Sequence, residues 1–220
     1  MHGDGAAGDL PPAALVACLP SGFVLRAARA GDVPDLLTDA DRADAARGVA
    51  QRLDAFTLGR SLLRRTAADV LGVAPDAVAL GRTPRGKPVL DGAGLHISLA
   101  HTRHDGRDLA MAVVAPVPVG LDMEPVRARR EGLAERILAP DEALPTWTPD
   151  PASALIAAWS AKEAALKADG IGLWHGAKAA HLAWHPDGAF DATTPNGRWR
   201  GRTVLAAGLA WSVAWEAGGA

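Results

Sequence analysis

The stretch Trp159-Ser160-Ala161-Lys162-Glu163-Ala164-Ala165-Leu166-Lys167 decides how the second half of this 220-residue chain is organised. It contains no Gly or Pro and is rich in Ala, so we expect a helix from residue 152 to residue 168. Side chains four positions apart share one face of a helix, which puts one row together: Leu155, Trp159, Glu163 and Lys167. A carboxylate and an ammonium thus interrupt an apolar row. Such a pair is either an ordinary surface ion pair or part of a site, and the stretch alone does not decide.

Composition limits the classes of protein to consider. The chain is 49% hydrophobic and 22% charged, enough for a substantial core in one large domain or two small ones. A net charge of -2 gives no general basic field, so we expect no nucleic-acid partner. The single cysteine, Cys18, cannot form an internal disulfide. No secretory signal or membrane-spanning apolar run is present, so we expect a cytoplasmic protein that does not bind membranes.

Turn residues and periodicity divide the chain into a flexible N-terminal tail (1–20) and two halves (21–116 and 117–220). Each half has a long helix followed by strands, and Pro116–Pro118 lies between them. The sequence shows no obvious repeat, so an internal duplication stays open at this point. The predicted strands are 23–29, 78–80, 95–100, 109–115, 119–125, 179–184, 198–205 and 209–215. The predicted helices are a helical region that opens at 38–41 with a possible break near Gly48, followed by 49–71, 133–138, one beginning at 140–142, and 152–168.

Two basic groups lie in the first half. The helix at 49–71 has a charged face with Arg47, Arg52, Arg60 and Arg64 on or near it. Such a face is either solvated or able to bind a phosphate through bidentate hydrogen bonds from the guanidinium groups. The loop 81–90 places Lys87 in a Gly-Lys-Pro turn, which is either an exposed basic turn or an anion-binding loop.

Polar residues follow the strand at 95–100. His101 and Thr102 are either hydrogen-bond donors to a ligand oxygen or a locally satisfied polar corner. Separations of five and three residues between His96, His101 and His104 do not favour a zinc site.

Asp122 and Glu124 alternate with Leu121 and Met123 on the strand 119–125, so the two carboxylates share one face. Like charges this close need a cation or a shared proton. All-oxygen ligands suit Mg²⁺, which leaves other coordination positions to water and phosphate. Because Asp-x-Glu on a strand is common by chance, the pair alone does not assign a site.

Four motifs together resemble the 4'-phosphopantetheinyl transferases, specifically the monomeric type that activates peptide and polyketide synthases. They are Gly86-Lys87-Pro88, Ser98-Leu99-Ala100-His101-Thr102, Gly120-Leu121-Asp122-Met123-Glu124 and Trp159-x-x-Lys162-Glu163-x-x-x-Lys167. Their order and separations match over residues 45 to 175. The resemblance implies an α+β fold of two similar subdomains related by a pseudo-twofold axis, with coenzyme A bound in the cleft between them.

The resemblance also implies an activity. The family transfers the 4'-phosphopantetheine arm of coenzyme A to a serine of an acyl or peptidyl carrier protein and releases adenosine 3',5'-bisphosphate. By motif, Asp122, Glu124 and Glu163 correspond to the ligands of Mg²⁺, or of Mn²⁺ in its place. The residues that correspond to coenzyme A contacts are Lys87, His101, Thr102, Lys162 and Lys167, together with Arg47 and Arg52 of the basic helix. Glu163 corresponds to the base for the serine, directly or through water, and Lys167 to the group that neutralises the leaving phosphate.

Two features depart from the family pattern. Many relatives have Ser where this chain has Ala100, which removes a hydroxyl donor that Thr102 or a backbone N–H would have to replace. The loop 103–107 also looks longer than usual. Two rival functions stay open: a non-catalytic protein that binds coenzyme A or a carrier, and a Mg²⁺-dependent pyrophosphate hydrolase.

Overall fold

The computed structural model describes residues 10–47, 53–127 and 132–218. Its helices and strands in chain order are α1 (Ala13–Val16), β1 (Val24–Arg29), α2 (Asp39–Arg47), α3 (Leu53–Leu71), β2 (Leu80–Arg82), β3 (Pro88–Leu90), β4 (His96–His104), β5 (Arg107–Ala115), β6 (Val119–Pro125), α4 (Leu133–Ile137), α5 (Pro151–Asp169), β7 (His181–Trp184), β8 (Ala189–Thr194), β9 (Gly197–Ala206) and β10 (Leu209–Glu216). Helices pack on antiparallel sheets, which confirms the predicted α+β class. No described helix is long and apolar enough to span a bilayer.

The first sheet has the order β1-β5-β4, and α3 packs on one of its faces. β5 is buried on both faces, as its continuous apolar run predicts. Its even-numbered residues, such as Ala112 and Val114, pack with Leu62 and Leu63 of α3. The odd-numbered residues, such as Met111, point into a second core.

The second sheet has the order β6-β10-β9-β8-β7 and is covered by α5. Along β6, Leu121 and Met123 point into the same second core as Met111. The alternate side chains, Asp122 and Glu124, therefore face α5, as the period of two predicts.

The two sheets share this second core, and β4 lies beside β6 at their junction. The backbone N–H of Leu121 donates to Ser98 Oγ at 3.0 Å across the junction. This contact fixes β6 against the first sheet. The twofold relation between the halves and their boundaries at 21–116 and 117–220 stay predictions.

The expectation of a flexible tail over 1–20 is wrong for residues 10–20. Helix α1 contacts β9 and β10, and Leu15 is completely buried in the shared core. Burial of Leu15 contributes about 1.5–3 kcal/mol toward the entropy lost by ordering this segment, and Leu10, Cys18 and Leu19 pack against the same core. Residues 1–9 lie outside the described part of the chain.

Helix α5 begins and ends close to the predicted bounds, with recognisable caps. The Asp150 side chain accepts a hydrogen bond from the N–H of Ser153 at 2.8 Å, and Pro151 occupies the first turn. Gly170 ends the helix with a φ of 85°, and its N–H donates to Leu166 O at 3.1 Å.

Small residues let β6 lie directly against α5. Most of α5 is buried all round, and the row that includes Trp159, Glu163 and Lys167 is only half-buried. A Cβ atom on Gly120 would lie 2.0 Å from the carbonyl oxygen of Ala164 and 2.4 Å from the nitrogen of Ala168. Only glycine permits this approach, which brings the acidic face of β6 next to Glu163.

Two local predictions are wrong, and strands β3 and β8 have no counterpart among the predicted strands. The helix expected at Pro140 is a turn, because Glu142 is buried in an ion pair instead of starting a helix. The loop expected at 103–107 is a tight hairpin: β4 continues to His104, and Asp105 and Gly106 form the turn with φ values of 49° and 75°.

Candidate functional site

Three carboxylates meet where β6 faces α5. One oxygen from each of Asp122, Glu124 and Glu163 lies within 4.8 Å of the other two. Asp122 is buried, and the other two are half-buried. In the described part of the chain, this is the only group of three or more His, Cys, Asp or Glu side chains close enough to share a metal ion.

Lys167 supplies positive charge next to this cluster. Its Nζ lies 2.7 Å from Asp122 Oδ1 and 3.7 Å from Glu163 Oε2. Burial by itself would lower the pKa of Lys167, but the Asp122 and Glu163 carboxylates more than offset it, so the pKa is raised. The ammonium is therefore charged at neutral pH. One positive charge still leaves excess negative charge in the cluster when all three acids are ionised.

Trp159 fixes the orientation of Glu124. The indole Nε1 donates to Glu124 Oε1 at 3.2 Å, from one turn before Glu163 on the same helical row. Trp159 and Glu163 are four residues apart, so the sequence predicts that they lie on the same row of the helix. It does not identify Glu124 as the partner of Trp159.

The cluster fits a divalent cation. Asp122 Oδ2 is buried and has no hydrogen-bond partner in the protein, so an acceptor is directed into the cluster without a donor. Burial, followed by the charge of Asp122, raises the pKa of Glu163 to about 8. Both features indicate that Lys167 alone does not compensate three ionised carboxylates, so without a further cation Glu163 keeps a proton at neutral pH. A hard cation with oxygen ligands, such as Mg²⁺, matches this donor set.

A cleft opens beside Lys167. A cavity of about 230 Å³ separates Lys167 and Gly170, at the end of α5, from the loop that carries Lys87 and from Ser98 and Leu99 of β4. A second cavity of about 570 Å³ adjoins it on the other side of Lys87. The cleft therefore lies between the two halves of the chain.

Lys87 bridges this cleft. Its Nζ donates to Ala168 O at 2.9 Å, in the last turn of α5. Burial lowers the pKa of Lys87 to about 8, and the Asp169 carboxylate acts in the opposite direction. Lys87 and Lys167 thus present two ammonium groups to one cavity.

His101 and Thr102 lie further along β4. Neither residue is among those that line the two cavities. His101 is exposed and Thr102 is half-buried. The methyl group of Ala100 is buried in the shared core, so the side chain at this position faces away from solvent.

The expectation that Lys162 contacts a ligand phosphate is contradicted by its burial. The side chain is completely inaccessible, with Nζ 2.6 Å from Glu142 Oε2 and hydrogen-bonded to Ala180 O. Glu142 also accepts from the N–H of Leu182 at 2.8 Å. The ammonium therefore joins α5 to Glu142, in the turn before the helix, and to Ala180, the residue that precedes β7. No signal in the sequence linked Glu142 to this position.

The basic helical face also differs from expectation. Arg60 and Arg64 are neither solvated nor directed to a ligand, because both are buried and paired with Asp41. Arg52 and the side chain of Arg47 lie outside the described residues, so their expected ligand contacts stay predictions.

Comparisons with known proteins agree with the geometry. Residues 118–214 match the family model described as the 4'-phosphopantetheinyl transferase superfamily. The 4'-phosphopantetheinyl transferase HetI of Nostoc sp. (strain PCC 7120 / SAG 25.82 / UTEX 2576) is 36% identical over 128 residues, which cover 54% of this chain and 52% of HetI. The chain thus matches about half the length of this curated relative.

The matched segment begins just before β6 and ends within β10, so it includes α5. All three clustered carboxylates and Lys167 lie inside it. Residues 118–214 are therefore similar to the 4'-phosphopantetheinyl transferase superfamily, and the acidic cluster lies within the matched segment.

Proposed function

We propose that this protein transfers the 4'-phosphopantetheine group of coenzyme A to a serine of an acyl or peptidyl carrier protein and releases adenosine 3',5'-bisphosphate. The observation that supports it most strongly is the cluster of Asp122, Glu124 and Glu163 oxygens within 4.8 Å, beside a lysine and a cleft. The superfamily match over the same residues supports the same chemistry.

In this proposal Asp122, Glu124 and Glu163 would hold one Mg²⁺ or Mn²⁺ beside the pyrophosphate of coenzyme A. When bound, the ion would supply positive charge that offsets the negative charge of the pyrophosphate and makes its phosphorus more electrophilic. Asp122 contributes the oxygen that has no donor in the protein. Trp159 holds Glu124 in place through its indole N–H.

The reaction is a displacement at phosphorus. The serine oxygen of the carrier forms a bond to the phosphorus that bears pantetheine, and the bond from that phosphorus to the bridging oxygen breaks. The electron pair leaves with adenosine 3',5'-bisphosphate, and the serine proton goes to Glu163, directly or through water. A nearby cation favours the ionised form of Glu163, which must be unprotonated to accept that proton.

The two lysines have different proposed roles, in the chemical step for Lys167 and in binding of coenzyme A for Lys87. Lys167 carries a full positive charge, and we propose that it stabilises the departing phosphate. Lys87 lines the same cavity and contributes a second ammonium to the pyrophosphate. His101 and Thr102 are proposed to donate to other oxygens of coenzyme A.

The site needs no second copy of the chain, because β6, α5 and the Lys87 loop all belong to one chain. We therefore propose that the protein acts as a monomer. We also propose that it acts in the cytoplasm. Its proposed partners are the carrier domains of polyketide or nonribosomal peptide synthases.

Intact-mass spectrometry of a carrier protein tests this function. Purified protein, apo carrier, coenzyme A and Mg²⁺ are incubated together, and we expect the carrier to gain the mass of one phosphopantetheine group. Asp122→Ala and Glu163→Ala should each abolish the gain. Asp76→Asn, which changes an exposed acid in a 3-10 turn, is the matched control and should retain it.

Other outcomes identify the rival functions. Binding of coenzyme A without a mass gain on several apo carriers would indicate a non-catalytic binding protein. Consumption of coenzyme A without any carrier present would indicate a hydrolase. Full activity in both alanine variants would refute the assignment of the site.

A further inference from the structure

A buried ionic cluster on the first half of the chain joins α2 to α3. Arg60 Nε lies 2.6 Å from Asp41 Oδ1, and Arg64 Nη2 is hydrogen-bonded to Asp41 Oδ2. The exposed fraction of the side chain is 6% for Arg60, 2% for Asp41 and 3% for Arg64. Burying charged groups is costly unless they are paired, and here two guanidinium groups share the Asp41 carboxylate.

The same guanidinium groups hold the backbone that leads into β2. Arg60 Nη2 donates to Leu80 O at 3.0 Å, and Arg64 Nη1 donates to Val78 O at 2.7 Å. Arg64 Nη1 also lies 3.3 Å from Pro75 O. Each arginine thus binds Asp41 with one side of its fork and a backbone carbonyl with the other.

β2 forms a hairpin with β3, and this hairpin positions Lys87. Leu80 pairs with Leu90, and Arg82 pairs with Pro88, the residue that follows Lys87. Within the hairpin loop, the N–H of Thr83 donates to Lys87 O at 2.8 Å, and the N–H of Lys87 donates to Thr83 Oγ1 at 3.1 Å. The location of the Lys87 backbone therefore follows from the location of β2.

A second pair of contacts holds the same hairpin from outside. The Arg82 guanidinium lies 5.5 Å from the centre of the Phe56 ring, and its Nε lies 3.6 Å from Asp44 Oδ2. These contacts join the hairpin to α2 and α3, the same two helices that carry the buried cluster. Because Arg82 is about 42% exposed, these outer contacts are expected to be weaker than the buried ones.

We propose that Asp41, Arg60 and Arg64 are positioning residues for the Lys87 side of the cleft. They hold β2 and so keep the Lys87 ammonium in the cavity that it shares with Lys167. The kinetic consequence rests on the proposed function, whereas the structural consequence for the hairpin does not. None of the three touches the reacting groups, so we expect them to affect binding of coenzyme A and not the chemical step.

Arginine is needed because its planar fork reaches two acceptors at once. In Arg60→Lys, the positive charge beside Asp41 remains, but a single ammonium cannot reproduce the fixed pair of bonds to Asp41 and Leu80 O. This variant therefore keeps the ion pair and loosens the hairpin. Arg65→Gln is the matched control, because Arg65 lies on the same helix but is 51% exposed and pairs only weakly with Asp69 at 3.6 Å.

Hydrogen exchange of the backbone amides and steady-state kinetics are measured on the full-length proteins. In Arg60→Lys we expect amides of residues 80–90 to exchange about 10- to 100-fold faster, as expected for loss of one charged hydrogen bond, with little change in α5. The KM for coenzyme A should rise about tenfold while kcat changes less than about twofold. Arg65→Gln should match the wild type in both measurements.

Unchanged exchange in residues 80–90, equal acceleration across β4 and β5, or a fall in kcat with unchanged KM would each overturn the proposal. If the wild type transfers nothing to any carrier, the proposed function fails, and the exchange result alone decides the positioning role. If Arg60→Lys does not fold, Arg64→Lys is measured in the same way, because it loses the fork that holds Val78 O.

Discussion

Replacing Gly120 by alanine should separate the metal-binding strand from the helix that completes the site. The added Cβ would lie 2.0 Å from Ala164 O and 2.4 Å from Ala168 N, whereas ordinary contacts begin at 3.4 Å. Both atoms belong to the backbone of α5 and cannot rotate away. To relieve the clash, β6 has to move from α5 by about 1 Å or more.

This shift has two consequences. Overpacking in a close-packed core is expected to cost about 1–3 kcal/mol of unfolding free energy. The same shift moves Asp122 and Glu124 away from Glu163 and Lys167, and a displacement of about 1 Å in a catalytic site can cost about 100-fold in rate. We therefore expect transfer activity to fall by about 100-fold in a protein that remains folded.

Urea unfolding and the carrier mass assay measure the two effects on the same samples. Gly197→Ala is the matched control, since its Cβ would meet the Trp199 ring at 3.4 Å, an ordinary contact. A Gly120→Ala protein with activity within about threefold of the wild type would refute the claim that close approach of β6 to α5 builds the site.

Three further changes test other parts of the molecule. Burial would raise the pKa of Asp41, but hydrogen bonds from Arg60 and Thr38 outweigh it and lower the pKa from 3.8 to about 2. The ionised carboxylate therefore stabilises the fold above pH 4, and this contribution of about 2 kcal/mol is lost as the pH falls toward 2. Urea unfolding at a series of pH values should show this loss in the wild type and not in Asp41→Asn. Lys162→Met should lower the free energy of unfolding by about 3–5 kcal/mol, because Glu142 is then buried without a cation. A Lys162→Met/Glu142→Leu double variant that is less stable than Lys162→Met would contradict this reason. Glu124→Gln should weaken Mn²⁺ binding by more than about tenfold in a titration followed by electron paramagnetic resonance, whereas equal affinity would exclude Glu124 as a ligand.

Periodicity predicted the parts of the site that depend on regular structure. The row with Glu163 and Lys167 follows from the helical repeat, and the shared face of Asp122 and Glu124 follows from the strand repeat. Both patterns are properties of one element each, so they can be recognised in sequence.

Contacts between distant segments could not be predicted in this way. Nothing in the sequence near Lys162 indicates that Glu142, in an irregular turn, neutralises it within the core. Arg60 and Arg64 have the spacing of a solvated helical face, and only the fold brings Asp41 to them. The sequence therefore assigns Lys162 to a ligand and leaves Arg60 and Arg64 either solvated or near a phosphate, although all three have partners inside the protein.

Two local signals were present in the sequence but were not used. Asp105-Gly106 is a typical two-residue hairpin turn, and it predicts that β4 and β5 continue to a tight turn. Gly120 precedes the acidic pair on its strand, and a glycine inside a strand often marks a close approach of another backbone.

A crystal grown with Mn²⁺ and coenzyme A gives the most direct test of a divalent-ion site formed by Asp122, Glu124 and Glu163. We expect an anomalous peak with one oxygen of each carboxylate at about 2.0–2.3 Å, and the pyrophosphate between it and Lys87. A peak elsewhere, or a pyrophosphate bound away from the three carboxylates, would contradict the assignment of this site.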